Sequence, residues 1–172
     1  KLSKRHGATS VQEFRDEGYL PEALLNYLAL LGWSSGEDRD LWTLDELIPE
    51  FCLDGISRSP AVYDIEKLTW MNGHYISNSN AERLLSLSSN QNHMQKYLSD
   101  YPREYLLQVL DLVGNRIKTL NEIPGAIQYF CEDVDSYDAK GVTKHFKKTN
   151  AVIILNSVID IVEKAPQFEA SI

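Results

Sequence analysis

The sequence has few cysteines and no long apolar segment. Its two cysteines, Cys52 and Cys131, lie far apart without the spacing of metal ligands. They are interpreted as reduced thiols of an intracellular protein, rather than as a disulfide framework or a zinc site. No apolar run approaches the ~20 residues of a membrane-spanning helix, and the N-terminus has no apolar signal segment. We therefore expect a cytoplasmic protein with no membrane partner and no bound metal.

Positive charge is also scarce. The 172 residues include 17 lysines and arginines against 25 aspartates and glutamates, which gives a formal net charge of −8. Composition alone argues mildly against a nucleic-acid partner, because binding to phosphates would need local basic patches within an acidic surface. With 43% hydrophobic residues, the chain is long enough for one or two small domains, each with its own core.

Helical signals run along almost the whole sequence and predict an all-α fold. Three pairs of residues have the spacing of a capping box: Ser10 and Glu13, Thr43 and Glu46, and Thr119 and Glu122. Each pair predicts a helix start, because the two side chains can satisfy unpaired backbone N–H groups.

Further helices are predicted from prolines, caps and apolar periodicity. A core helix starts at Pro21 and ends at Gly32, and its apolar positions are Leu24, Leu25, Leu28 and Leu31. Asp64 caps a helix that ends near Gly73 or one turn later. An apolar helix follows Pro102, and Asn150 caps a helix over residues 152–162, for which a strand is the lesser alternative. The Ser- and Asn-rich stretch 77–92 predicts a subdomain junction.

The first five residues, Lys-Leu-Ser-Lys-Arg, resemble the Lys-Met-Ser-Lys-Ser loop of class I aminoacyl-tRNA synthetases, in the form found in bacterial-type glutamyl-tRNA synthetases. Residues 17–33 and 64–73 resemble stretches that follow this loop in the same family, in the same order. The resemblance is dense to about residue 76 and thinner to about residue 131. It implies a signature loop and stem-contact fold over residues 1–77. A helical anticodon-binding domain, bundle-like or cage-like and truncated at its C-terminus, would follow over residues 78–172.

The same resemblance implies a function. The family attaches glutamate to its tRNA through an adenylate, so the implied partners are tRNA(Glu), L-glutamate and ATP with Mg²⁺, and the parent enzyme is expected to be a monomer. The sequence lacks the upstream nucleotide fold and its His-Ile-Gly-His-like motif, so the chain alone is expected to be inactive and to hold no cofactor. The alternative is a non-catalytic helical protein-interaction module derived from a synthetase. The acidic net charge favours this module slightly, whereas the retained loop argues against it.

Within the loop, Lys4 is the best candidate for a contact to the ATP phosphates, with Lys1 and Ser3 assisting. A flexible lysine-rich loop can fold over ATP and stabilise the charge that develops as pyrophosphate leaves. A solvated basic terminus is the alternative.

The candidate tRNA contacts lie in two later segments. Residues 110–120 resemble the segment that, in discriminating glutamyl-tRNA synthetases, carries an arginine that reads the third anticodon base, and Arg116 holds that position. A guanidinium just past an apolar helix can extend its planar donors to a splayed base. Lys118 adds a second cation. Lys67, Trp70 and Asn72 lie on or near a segment that the family uses to contact the inner side of the tRNA.

Alternatives stay open for several of these residues. For Arg116 the lesser alternative is a solvated helix-end residue, and for Trp70 a core residue is an equal alternative. Four lysines have the spacing of one helical face, which is more simply a solvated surface: Lys140, Lys144, Lys147 and Lys148.

Overall fold

The computed structural model describes residues 10–57, 62–90, 92–148 and 150–164, with only the backbone of Asn92. The chain divides into two compact units, Lys1–Glu132 and Asp133–Ile172. The described residues form helices and turns without a β-strand, apart from an isolated antiparallel bridge between Trp33 and Ile56. The predicted all-α fold class is confirmed.

The first unit contains the helices α1 to α8. They are α1 (Val11–Asp16), α2 (Pro21–Leu30), α3 (Leu44–Glu50), α4 (Ile65–Ser77), α5 (Ala81–Ser88), α6 (Gln95–Asp100), α7 (Arg103–Val113) and α8 (Ile123–Cys131). Short 3₁₀ turns occur at Leu53–Gly55, Asn92–Met94, Gly114–Arg116 and Leu120–Glu122. The second unit contains α9 (Ala139–Gly141), a π-helical turn (Val142–Phe146) and α10 (Ala151–Lys164).

Local capping signals set several helix starts as predicted. Ser10 and Thr43 form complete capping boxes with Glu13 and Glu46 at the starts of α1 and α3. Asp64 caps α4 by accepting two backbone N–H groups of its first turn. These starts are confirmed because each cap and its partners lie within three residues of one another.

The third predicted capping box is wrong. The Thr119 hydroxyl donates to Oε1 of Glu122 at 3.3 Å, whereas Oε2 of Glu122 accepts the backbone N–H of Lys118 at 3.1 Å. The carboxylate therefore reaches the residue before the expected cap. A 3₁₀ turn without a side-chain cap, Leu120–Glu122, leads into α8 instead.

The apolar face predicted for α2 is partly wrong. Leu24 is buried, but Leu25 and Leu28 are 43% and 44% exposed. The buried side chains of the helix include Ala23 and Tyr27 beside Leu24. The spacing predicted the helix correctly. The positions predicted to be buried lie one residue after the buried ones, because two neighbouring faces of this helix are apolar.

Three apolar clusters form the core of the described part. The largest joins Leu20 and Ala23 to α5, α7 and α8, and it contains Ile76 and Ala81 on either side of the expected junction. A second connects α1, α2 and α4, and a third is built around Trp33. The division into domains 1–77 and 78–172 stays a prediction.

The second unit has two helical regions of different character. The helix predicted after Asn150 is confirmed as α10, and the strand alternative is not. The lysines between 140 and 148 do not share one regular α-helix, since α9 ends at Gly141 and a π-helical turn follows. All four are exposed, which agrees with the simpler interpretation of a solvated surface. Among the described helices, none is long and apolar enough to cross a membrane.

Candidate nucleic-acid interface

Helix α4 carries three of the predicted tRNA contacts, and two tyrosines fix its ends. The Tyr27 hydroxyl accepts the backbone N–H of Asp64 at 2.7 Å. The Tyr75 hydroxyl donates to the carbonyl of Trp42 at 2.6 Å and accepts Nδ2 of Asn26 at 2.9 Å. Burial raises the pKa of Tyr27 and of Tyr75, so both hydroxyls stay protonated at neutral pH. The helix is therefore held at its N-cap and near its last turn.

Lys67 has an acidic partner. Its Nζ lies 2.6 Å from Oδ1 of Asp40, and the two side chains are 38% and 50% exposed. A tRNA phosphate would have to compete with this carboxylate for the ammonium group. The phosphate contact predicted for Lys67 stays a prediction.

Trp70 lies on the exposed face of α4. Its side chain is 49% exposed, which does not agree with the alternative of a core residue. It precedes Gly73 by one helical turn, so the two residues share a face. An exposed indole on a fixed helix is available for contact with RNA, and this contact too stays a prediction.

Asn72 has a different place from the one that the sequence suggested. Its side chain is fully buried. Its Oδ1 accepts the N–H of Leu20 at 2.8 Å, and its Nδ2 donates to the carbonyls of Gly18 at 3.3 Å and Lys118 at 2.6 Å. An amide with no exposed surface cannot touch tRNA in this conformation. The direct contact predicted for Asn72 is therefore replaced by a structural role.

Arg116 lies at the end of the 3₁₀ turn that follows α7. Val113 before the turn and Ile117 after it are 3% and 4% exposed, whereas Arg116 is exposed. These two anchors hold the backbone on the core and leave the guanidinium outside. Within the described ranges, Arg116 has no hydrogen-bond or ion-pair partner. Its donors are available to a ligand.

Lys118 follows two residues later and lies against α4. Its side chain is exposed, and its carbonyl is held by Asn72. A Cβ added to Gly73 would lie 3.4 Å from Cγ of Lys118, so the helix and this segment are in van der Waals contact. Helix α4 also packs against the turn that carries Arg116. The structure thus brings Lys118 beside Gly73 and packs the turn that carries Arg116 against the same helix.

Sequence reasoning missed two residues of this region. Nothing in the sequence near Asp40 indicates its pairing with Lys67, which lies 27 positions away. Gly73 did carry a signal, because a glycine inside a helical pattern often has a packing reason. Here Lys118 packs beside the glycine, at a distance at which an added Cβ would make ordinary van der Waals contacts.

The remaining predicted site residues cannot be placed. Lys1, Ser3 and Lys4 lie outside the described residues. In the described part, no group of three or more His, Cys, Asp or Glu side chains could hold a metal ion. Cys52 and Cys131 are free thiols.

Two family models match the chain. The model of the class I tRNA synthetase (E and Q) catalytic domain matches residues 1–70, and the model of an anticodon-binding domain matches residues 89–171. Helix α4 ends and α5 lies between the two matches.

Curated relatives match nearly the whole chain. Glutamate–tRNA ligase 1 of Syntrophomonas wolfei is 51% identical over 99% of this chain and 34% of the relative. Glutamate–tRNA ligase of Moorella thermoacetica is 44% identical over 99% of this chain and 36% of the relative. The chain therefore spans about a third of the length of these relatives.

Solved structures resemble the fold. A crystal structure of a glutamate tRNA ligase from Elizabethkingia meningosepticum, in complex with its amino acid, matches with a TM-score of 0.79 at 24% identity, covering 96% of this chain and 36% of that one. Glutamate-tRNA synthetase from Elizabethkingia anophelis matches with a TM-score of 0.74 at 25% identity, covering 98% of this chain and 39% of that one.

Proposed function

We propose that the chain belongs to the glutamate–tRNA ligase family and is the part of such an enzyme that binds glutamate tRNA. The complete enzyme would attach L-glutamate to this tRNA through an adenylate, using ATP with Mg²⁺. It would work as a monomer in the cytoplasm. The names of the relatives argue against the alternative of a non-catalytic interaction module.

The structural observation that carries the proposal is the turn with Arg116 and Lys118. Two cations two residues apart stand on a segment that is anchored on both sides, and Arg116 has no partner in the described ranges. A local positive site of this kind allows phosphate and base contacts in a protein whose net charge is −8.

We divide the proposed function between two parts of the chain. The stem-contact fold, with Lys67 and Trp70, would belong to residues 1–77, and the anticodon-binding region to residues 78–172. The family matches at 1–70 and 89–171 support a division in this region. The shared apolar cluster would keep the two parts in a fixed relation within the first unit.

Arg116 is proposed to read the third anticodon base and to prefer the cytosine of glutamate tRNA to the guanine of glutamine tRNA. In an enzyme of full length, Arg116→Gln is expected to reduce discrimination between the two tRNAs by about tenfold, since a bidentate base contact is worth ~1–3 kcal/mol. The measurement is the ratio of kcat/KM on the two tRNAs. Glutamate activation should change little.

A matched control is available at the other end of α7, the helix that precedes the turn with Arg116. Arg103 begins α7, at the opposite end from Arg116, and is paired with Glu82. Arg103→Gln should leave the ratio unchanged within about twofold, because surface ion pairs contribute little. Equal effects of the two substitutions would refute a specific reading role for Arg116.

Lys4, with Lys1 and Ser3, is proposed to contact the ATP phosphates. Lys4→Ala in the complete enzyme is expected to slow ATP–pyrophosphate exchange strongly, since loss of one charge-stabilising donor costs ~3–4 kcal/mol. Exchange is measured at saturating tRNA, beside tRNA affinity. Lys118→Ala serves as the reverse control, because it should weaken tRNA binding and spare exchange. A normal exchange rate in Lys4→Ala would contradict the assignment.

A further inference from the structure

The side chain of Asn72 joins three separate segments of the chain. It is completely buried, and all three of its hydrogen bonds go to backbone groups. Two of these groups belong to the turn around Gly18 that precedes α2, and the third is the carbonyl of Lys118. The shortest of the three bonds, 2.6 Å, is the one to Lys118, which lies two residues beyond Arg116.

The segment that Asn72 holds is tied down a second time by the same turn. The N–H of Leu120 donates to the Gly18 carbonyl at 3.0 Å, and Nδ2 of Asn121 donates to the Asp16 carbonyl at 2.9 Å. The Gly18 carbonyl therefore accepts from both Asn72 and Leu120. Because hydrogen bonds have narrow geometry, these bonds together restrain the backbone that follows Arg116.

We propose that Asn72 is a positioning residue for the discrimination between tRNAs. By holding the Lys118 carbonyl against α4, it sets the direction from which Arg116 approaches the third anticodon base. The inference rests on the proposed function of Arg116 and adds a residue that never touches the RNA. It also links base reading to α4, the helix that carries the proposed stem contacts Lys67 and Trp70.

The sharpest test replaces the side-chain amide of Asn72 by a carboxyl group. Asn72→Asp keeps the shape and the acceptor for Leu20 N–H, but it removes the Nδ2 donors and places a carboxyl oxygen against two carbonyls. Asn26→Asp is a matched control. Asn26 is also fully buried, and its Nδ2 also makes two hydrogen bonds, to the Asp40 carbonyl at 3.0 Å and the Tyr75 hydroxyl at 2.9 Å. It has no hydrogen bond to the segment beyond Arg116.

The assay is the kcat/KM ratio on glutamate tRNA and glutamine tRNA, in the complete enzyme. It is run at a temperature at which circular dichroism shows every variant folded. Asn72→Asp is expected to lower discrimination by about threefold to tenfold, approaching the loss in Arg116→Gln, because base readout depends on exact placement of the donors. Asn26→Asp should stay within about twofold of the wild type, since its bonds to the Asp40 carbonyl and the Tyr75 hydroxyl do not include the segment beyond Arg116.

A double variant separates positioning from general destabilisation. If Asn72 acts through Arg116, then Asn72→Asp added to Arg116→Gln should cause no further loss of discrimination. A further loss of the same size as in the wild-type background would overturn the inference.

A second variant moves the same segment without removing a hydrogen-bond donor, and it serves if Asn72→Asp does not fold. Gly73→Leu places a side chain where even a Cβ would lie 3.4 Å from Cγ of Lys118 and 3.6 Å from its Cα. It is expected to lower discrimination in the same way and to lose this effect in the Arg116→Gln background.

The outcomes distinguish the two proposals. If Arg116→Gln leaves the ratio unchanged, the proposed reading role fails and the inference fails with it. If Arg116→Gln lowers the ratio but Asn72→Asp or Gly73→Leu behaves like Asn26→Asp, Arg116 keeps its role and the positioning role of Asn72 is refuted.

Discussion

The cations of the proposed interface differ in the partners they already have. Lys67 is paired with Asp40 at 2.6 Å, whereas Arg116 has no partner in the described ranges. A half-exposed ion pair of this kind contributes little to the free energy of unfolding. Its larger expected effect is on ligand binding. Asp40 competes with any phosphate that approaches Lys67.

Asp40→Asn should therefore strengthen the binding of tRNA. The substitution frees the ammonium of Lys67 and removes one negative charge beside it. If Lys67 then contacts a phosphate, the plot of log affinity against log salt concentration should steepen by about 0.7–0.9. The measurement is tRNA binding to the complete enzyme between low and moderate salt.

Glu104→Gln provides the control, because it removes the same charge at the start of α7, at the far end of that helix from Arg116. If both substitutions change affinity and salt dependence equally, only the total charge matters, and Lys67 is not a specific contact.

Single residues also show how far the sequence can be read. The exposure of Arg116 followed from its place after an apolar helix, and the cap by Asp64 followed from neighbours within three positions. The role of Asn72 could not be predicted, because its partners are backbone atoms 46 to 54 positions away. Such partners leave no pattern in the sequence.

Among the elements, α4 and the turn before α2 each contain a glycine at a close approach, but the two glycines differ in backbone conformation. Gly73 is helical, and an added Cβ would make ordinary contacts with Lys118. Gly18 has a φ of +86°, and a Cβ there would lie 2.8 Å from the backbone nitrogens of Leu120 and Asn121. The backbone conformation and the close contacts at position 18 require a glycine. The helical conformation at position 73 does not.

Alanine substitutions at these glycines should have opposite effects on the free energy of unfolding. Gly73→Ala is expected to stabilise the chain by about 0.5–1 kcal/mol, because alanine is the better helix former. Gly18→Ala is expected to destabilise it by at least ~1–2 kcal/mol, the cost of a left-handed conformation, to which the clash adds. Urea unfolding of the 172-residue chain, followed by circular dichroism, measures both. Effects of the same sign would contradict this account.

The elements also show where local signals fail. The spacing of Thr119 and Glu122 predicted a capping box, but the carboxylate turned to the N–H of Lys118, within the segment that α4 holds. The lysines from 140 to 148 predicted a helical face, but a π-helical turn interrupts it. In the first case the tertiary position of Lys118 decides between two N–H groups that are three and four positions from Glu122. For the π-helical turn, the structure offers no physical reason.

At the scale of the whole molecule, the first unit contains the core on which the proposed interface stands. Every residue of the three apolar clusters lies between Phe14 and Cys131. No described residue of the second unit, Asp133–Ile172, is a member of these clusters. The first unit therefore has the core that independent folding requires.

A chain shortened to residues 1–136 is expected to keep the cooperative unfolding of the first unit. Its midpoint should lie within about 3 °C of the corresponding transition in the 172-residue chain, because the clusters lose no member. Differential scanning calorimetry of both chains measures this. A non-cooperative transition or a much lower midpoint would show that the first unit depends on residues beyond 136.

The bonds around Asn72 also determine the order of events during folding. They connect positions 46 to 54 apart, and the bond from Asn121 to Asp16 spans 105 positions. Contacts of such long sequence separation close large loops, and they form late because the entropy of closure comes before any gain from the contact. Helices α2, α4 and α7 depend on local contacts and can form early. On a ribosome, the turn with Arg116 would thus receive its final geometry only after residue 121 has been synthesised and has returned to the turn that precedes α2.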